Sequence, residues 1–307
     1  MQIVYEWEDV LSRALGLDLA DDFHSSSLPL RALRRLCPAI ARSTKSDVAS
    51  LVFEMSAWRD IGNDKSSIVP CIIDFFIRDE RELRRFYRSY RRNPLVLVSS
   101  MEAFEFLKER SCPMNIQHWA LSIPDKWIPD CPVTGKLYDV AIMGRENPVL
   151  MGYLEQYMRK NPRVSCVRRI RTQSGFAYRS DSDGKIYPGA SREDYMRVMR
   201  MARVGLYATP GMDGAKPAAN GFNQVTPRFL EFISSGCSVL ARYQENPDTR
   251  YYGLSEISPS VETYEQFEHQ MEIALSARVD FDMASVYLRR HSTSVRAQEL
   301  KEILTYA

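Results

Sequence analysis

The chain has 307 residues, 45% of them apolar and 26% charged, with a formal net charge of +2. That balance excludes chain-wide disorder, and so small a net charge gives no argument for a nucleic-acid binder. Six cysteines (Cys37, Cys71, Cys112, Cys131, Cys166 and Cys237) form no C-x-x-C pair, which argues against a zinc site or a disulfide framework and for reduced thiols in the cytoplasm. No apolar run approaches the roughly 18 residues of a transmembrane helix. The start, MQIVYEWEDV, is acidic and strand-like and does not read as a signal peptide.

Short apolar strands alternate with amphipathic helical stretches, the pattern of α/β units around largely parallel sheets. Strands are predicted at 2–6, 49–55, 68–74, 95–99 and 115–120, and helices at 29–42, 79–91 and 100–109. A stretch rich in Pro and Asp, 123–136, reads as a linker, narrowed to 126–136 when domains are assigned. The alternation then restarts: strand 138–144, helix 148–160, strand 164–170, a hairpin turn at 180–185, helix 191–202 and strand 204–208. A short helix follows, then strand 238–243 and helical patterns at 263–276 and 281–304. The chain therefore divides into two Rossmann-type halves, 1–125 and 137–290, with a helical tail at 291–307.

The short helix, VTPRFLEFISSGCSVL at 225–240, carries the strongest site signal. Thr226 suits an N-cap and Pro227 the first helical position. Gly236 supplies the left-handed residue that ends it. In an open α/β sheet the N-terminus of such a helix lies at the carboxyl edge of the strands, where ligands bind. Its free N–H groups and partial positive charge favour an anion. Arg228 adds a fork of donors suited to phosphate. Glu231, three residues on, lies on the same face one turn deeper and can accept the vicinal hydroxyls of a ribose. Anion and diol together describe a nucleoside diphosphate. The alternative is an ordinary surface ion pair between Arg228 and Glu231.

Other candidates carry two readings each. Gly144-Arg145, after strand 138–144, either admits a phosphate to the backbone or is an ordinary turn. Lys216, in the Gly-rich loop before the helix, either reaches a diphosphate or is solvated. Asp181-Ser182-Asp183 has a metal-binding spacing, but the Gly184 that follows makes it a turn. Asp74, after strand 68–74, is either a general base or a turn residue. Arg81, Arg84, Arg85, Arg88 and Arg92 share one face of the 79–91 helix, with Leu83, Phe86, Tyr87 and Tyr90 on the adjoining face. That arginine face is either solvated or meets anionic lipid; nucleic acid lacks a supporting motif.

From about 187 to 304 the chain resembles the donor-binding domain of GT-B fold glycosyltransferases, in the family-1-like variety with an R-x-x-E-x-x-x-x-G core. The matching pieces are YPGASREDYMRVMRMARVGLYATPG, PRFLEFISSGCSVLARY, ETYEQFEHQMEIAL and RRHSTSVRAQELKEIL. IVPCIIDFF, LVLVSSMEAFEFLKE and NIQHWALSIPDKW follow the order of the family's N-domain more weakly. The resemblance implies two Rossmann-like domains facing across a cleft, with the tail crossing back to the first. It implies sugar transfer from a nucleotide-diphosphate donor to a glycan or lipid-linked glycan, of a hexosyltransferase type, in surface polysaccharide or glycoconjugate synthesis. Tyr187 and Gly189 fall where the family cups the nucleobase; Gly144, Arg145, Lys216, Thr226, Arg228 and Glu231 complete the donor set. No cofactor and no metal are implied, because helix dipole and Arg228 replace a cation at the diphosphate. Many retaining members carry a second Glu eight residues before the first; Asn223 stands there. A non-catalytic nucleotide-sugar or partner-binding protein on the same fold is the alternative. The expected location is cytoplasmic, at the inner face of the plasma membrane if the arginine face meets lipid.

Overall fold

A computed structural model of the chain describes residues 2–19, 50–57, 65–173 and 175–306. The helix predicted at 29–42 lies outside the described residues. The chain forms two compact units, one made of Glu8–Ala120 with Ala297–Ala307 and the other of Met1–Trp7 with Leu121–Arg296.

The first residues are helical, not extended. Helix α1 spans Gln2–Leu15. Ile3, Trp7 and Leu11 recur every four residues and are buried, whereas Tyr5 is 66% exposed. A strand would have hidden alternate residues. The predicted strand at 2–6 rested on a window too short to separate the two periods.

The smaller unit holds strands β1 (Ser50–Glu54), β2 (Ile68–Ile72), β3 (Val96–Val98) and β4 (Ile116–His118), which lie in that order. All pair in parallel. β2 and β3 are buried at every position, as expected of parallel strands covered on both faces. Helix α2 (Glu80–Tyr90) begins at Asp79, whose carboxylate accepts the N–H groups of Arg81 and Glu82. It buries Leu83, Phe86 and Tyr90 and leaves Arg81, Arg84, Arg85, Arg88 and, just beyond it, Arg92 exposed. Helix α3 (Met101–Glu109) is capped by Ser100.

The larger unit is built on six strands: β5 (Tyr138–Ile142), β6 (Cys166–Thr172), β7 (Gly175–Ser180), β8 (Ile186–Pro188), β9 (Ala202–Ala208) and β10 (Ser238–Arg242), in the order β10-β9-β5-β6-β7-β8. The four strands from β10 to β6 are parallel; β7 and β8 add an antiparallel hairpin. Its turn holds Asp181 and Asp183. Asp181 accepts the Cys166 N–H at 2.6 Å, and Asp183 that of Lys185 at 3.1 Å. Helices α4 (Pro148–Lys160), α5 (Arg192–Arg200), α6 (Pro227–Ser234), α7 (Pro247–Tyr251), α8 (Leu254–Ile257), α9 (Tyr264–Ser276) and α10 (Phe281–Arg290) complete it. α4 and α9 cover the sheet through Leu150, Leu154, Phe267 and Met271.

Residues 126–136 belong to this unit. Trp127 is only 8% exposed, and Lys136 donates to the Ser235 carbonyl at 2.8 Å. The pattern predicted as one helix over 281–304 is two: α11 (Thr293–Tyr306) starts anew after His291-Ser292. There the backbone turns to Ile123, whose N–H donates to the His291 carbonyl at 3.0 Å and whose carbonyl accepts the Thr293 N–H at 3.0 Å. Those bonds replace the helical ones. No helix of the described residues is long and apolar enough to cross a membrane.

Candidate functional site

The strand order reverses at β5: the chain runs outward to β6 and later returns to β9 on the other side. Ligands of open α/β sheets bind outside the carboxyl ends of strands at such a point. Gly144 stands two residues beyond β5, with φ +89°. A Cβ there would lie 2.4 Å from Nη2 of Arg228, so the guanidinium is packed on the glycine backbone. Two residues that the sequence singled out separately thus meet.

Arg228 is the second residue of α6. The helix is short and hides Phe229 to Ser234, with Gly236 at φ +64° just past its end. Thr226 occupies the N-cap position, but its side chain makes no capping bond. Its main-chain N–H donates to the Tyr207 hydroxyl at 3.0 Å. Thr226 Oγ1 and Arg228 Nε are buried without hydrogen-bond partners. Unmet polar groups of this kind cost about 1–3 kcal/mol each. An anion at the mouth of α6 would satisfy the guanidinium.

Glu231 does not pair with Arg228. It is 4% exposed, and its oxygens face the larger unit's own α5: Arg192 Nη1 lies 2.6 Å from Oε1, and the Tyr195 hydroxyl donates to Oε2 at 2.7 Å. Burial and the Glu231 charge push the Tyr195 hydroxyl well above its ordinary value. Arg192 is itself clamped, its Nε 3.2 Å from Oε2 of Glu6. Burial alone would lower Arg192, but Glu231, Tyr195 and Glu6 hold it above its usual value. Glu6 also accepts from Trp127 Nε1 at 2.9 Å and pairs with Lys126 at 2.9 Å. A carboxylate offers about four acceptor positions. Two on Glu231 are taken, which leaves capacity for a diol.

Tyr178 on β7 closes this group. Burial raises its hydroxyl, and the charges of Arg169, Arg228, Glu231 and Arg192 all act on it. Its ring lies 6.3 Å from that of Tyr195. A Cβ on Gly189 would meet the Tyr178 ring at 2.8 Å and the Phe176 carbonyl at 2.9 Å, so Gly189 is there to allow the contact. Tyr187 faces another way, with its hydroxyl 2.6 Å from that of Tyr138.

The loop before α6 is anchored at Asp213, which Arg242 grips at 2.7 and 3.0 Å and to which Asn147 Nδ2 donates at 2.9 Å. Burial alone would raise the Asp213 carboxyl, but those bonds hold it below its ordinary value. Lys216 stands in this loop between two 3-10 turns. Asn223 accepts from Thr209 at 2.8 Å and donates to the Gly221 carbonyl at 3.1 Å. Arg145 is exposed beside Gly144. Asp74 lies two residues past β2, in the smaller unit, as do the α2 arginines.

Sequence reasoning missed Arg192, Tyr195, Tyr178 and Glu6. Ser191 and Asp194 mark the start of α5, where Ser191 Oγ accepts the Asp194 N–H at 3.0 Å, but nothing local says which carboxylate Arg192 seeks.

The arrangement defines a mixed α/β fold of the GT-B kind, with parallel sheets flanked by helices. No protein-family model matches the sequence, and no curated protein matches it. A solved structure of sucrose-phosphate synthase from Thermosynechococcus elongatus is similar with a TM-score of 0.60 at 14% identity, over 100% of this chain and 93% of that one. The GtfA/B complex is similar with a TM-score of 0.52 at 10% identity, over 89% of this chain. The chain spans 60% of the length of that second structure. At such identities the likeness is one of fold.

Proposed function

We propose that the chain is a glycosyltransferase whose larger unit binds a nucleotide-diphosphate sugar at the mouth of α6. The observation that carries the reading is Arg228. Its guanidinium lies on Gly144 at the strand-order reversal, with Nε buried and unmet. In the reaction the bond from the anomeric carbon to the diphosphate breaks as a bond to an acceptor oxygen forms. The departing charge falls to the Arg228 fork and the helix N-terminus. Glu231, held by Arg192 and Tyr195, receives the ribose hydroxyls. Gly189, Arg145, Lys216 and the backbone of Tyr187, whose side chain turns to Tyr138, line the rest of the donor. The acceptor, a glycan or lipid-linked glycan of a surface polysaccharide or glycoconjugate, loses its proton to a base, for which Asp74 is the candidate. A hexosyl donor, independence of divalent metal and docking of the α2 arginines on the inner membrane face belong to the same reading.

Asn223 favours a second reading. Its side chain is spent on Thr209 and Gly221, inside the loop. A protein that holds the nucleotide sugar without turning it over fits that residue equally well.

The experiment is transfer or slow hydrolysis of a panel of nucleotide-diphosphate sugars in excess chelator. Activity should persist, and Arg228→Lys should lower it on the order of 10²-fold, since a point charge does not replace the bidentate fork. Saturable binding with no turnover would select the second reading. Loss of activity with chelator, reproduced by Asp181→Ala, would move the diphosphate site to the hairpin turn and overturn the proposal.

A further inference from the structure

At the opposite, amino edge of the same sheet lies a cavity of about 600 Å³. It opens between the 129–136 segment, the end of α6 and the α9–α10 junction. Arg203 near the start of β9 and Ser238 at the start of β10 line it, so it is separate from Gly144, which follows the carboxyl end of β5. Its size suits a small organic molecule rather than a single ion or water.

The lining has a consistent character. Val133, Ile233 and Phe281 contribute apolar wall, together with prolines and alanines. Lys136, Arg203 and Arg278 are its charged members, and no Asp or Glu is among the lining residues. Lys136 Nζ donates to the Ser235 carbonyl at 2.8 Å, an interaction that brings no counter-charge. Burial holds its ammonium below its ordinary pKa; the Cys237 sulfur acts against that, and the charges of Arg200 and Arg203 act with it. Arg203 donates to the Leu275 carbonyl at 3.1 Å and has Asp139 at 3.9 Å, a distant partner. Arg278 is exposed at the rim. Three cations around an apolar space, without a carboxylate in the wall, favour an anion with an apolar body.

We propose that this cavity is a binding site for a small amphiphilic carboxylate, its charge on Lys136 and Arg278 and its body against Val133, Ile233 and Phe281. The site does not depend on the glycosyltransferase reading.

The test is calorimetric titration of the full chain with decanoate, 4-phenylbutyrate and indole-3-acetate, each beside its uncharged amide. At least one acid should bind saturably, at one site, about tenfold or more tighter than its amide. Lys136 also holds the end of α6, so its replacement risks the fold; the exposed neighbours carry the argument. Arg278→Gln should weaken binding about tenfold, and Ala277→Trp, which fills the cavity from its rim, should abolish it, both with unchanged melting temperature. Equal affinity for acid and amide, binding that survives Ala277→Trp, or no saturable binding by any acid of the three would overturn the proposal.

Discussion

The guanidinium of Arg228 fills the space that a side chain at Gly144 would occupy, 2.4 Å from where its Cβ would stand. Gly144 also has φ +89°, which an L side chain tolerates poorly. Gly144→Ala should therefore displace Arg228 and strain the turn, at a stability cost of about 1–2 kcal/mol. Nucleotide affinity should fall at least about tenfold, by titration of a nucleoside diphosphate. Retained affinity in a folded Gly144→Ala protein would separate Arg228 from the ligand.

Glu231 and Arg192 form a buried pair, so neither is a silent surface substitution. Arg192→Ala leaves the Glu231 and Glu6 carboxylates without their shared cation and should cost about 3–5 kcal/mol by denaturant unfolding. Glu231→Gln keeps the shape and an acceptor for Tyr195 and should cost less. In a double-mutant cycle the two changes should be strongly non-additive. Simple additivity would mean that the 2.6 Å contact contributes nothing.

The arginine face of α2 gives a separable outcome. Arg81, Arg84, Arg85 and Arg88 point to solvent around a buried stripe of Leu83, Phe86 and Tyr90. Replacing Arg84, Arg85 and Arg88 by Gln should weaken binding to phosphatidylglycerol vesicles, by about 1 kcal/mol per charge at modest ionic strength. Nucleotide binding should not change. A wild-type protein that ignores such vesicles at low salt has only a solvated face there.

His291 predicts a pH dependence. Burial first, then the charges of Arg296 and Arg290, lower its pKa to about 3. The fold therefore keeps it neutral, whereas the unfolded chain protonates it near its ordinary value of about 6.5. Its cost is absent above that pH and grows as pH falls toward 3, by at most about 1.4 kcal/mol per pH unit. His291→Gln should flatten the fall of melting temperature between pH 6.5 and 4. An unchanged slope would show that His291 is already charged in the fold.

Most of the parallel strands were legible because buried strands are short apolar runs with turn residues between them. α6 was legible for a different reason: Thr226, Pro227 and Gly236 are local signals, and Gly144 and Arg228 carry chemistry visible one residue at a time. What failed needed long-range information. Glu6 was assigned to a strand, so its meeting with Arg192 was invisible. Glu231 was read with its sequence neighbour Arg228, although its partners are Arg192 and Tyr195 on another helix. The break at His291-Ser292 has no Gly or Pro to mark it, because Ile123 causes it.

That meeting has a consequence for how the protein is made. Ile123 is fully buried and spends both backbone groups on His291 and Thr293, while beside it Ser122 and Thr293 share a hydroxyl contact of 2.9 Å across 171 positions of chain. Closing so long a loop costs roughly 4–5 kcal/mol in chain entropy. It also cannot happen early. On the ribosome, the strands from β5 to β10 can assemble while the chain is still growing, but Ile123 must wait with unmet backbone groups until Thr293 has emerged. The larger unit is thus completed only once Thr293 has emerged, and a polypeptide stopped short of α11 would carry that exposed seam to any chaperone or protease it meets.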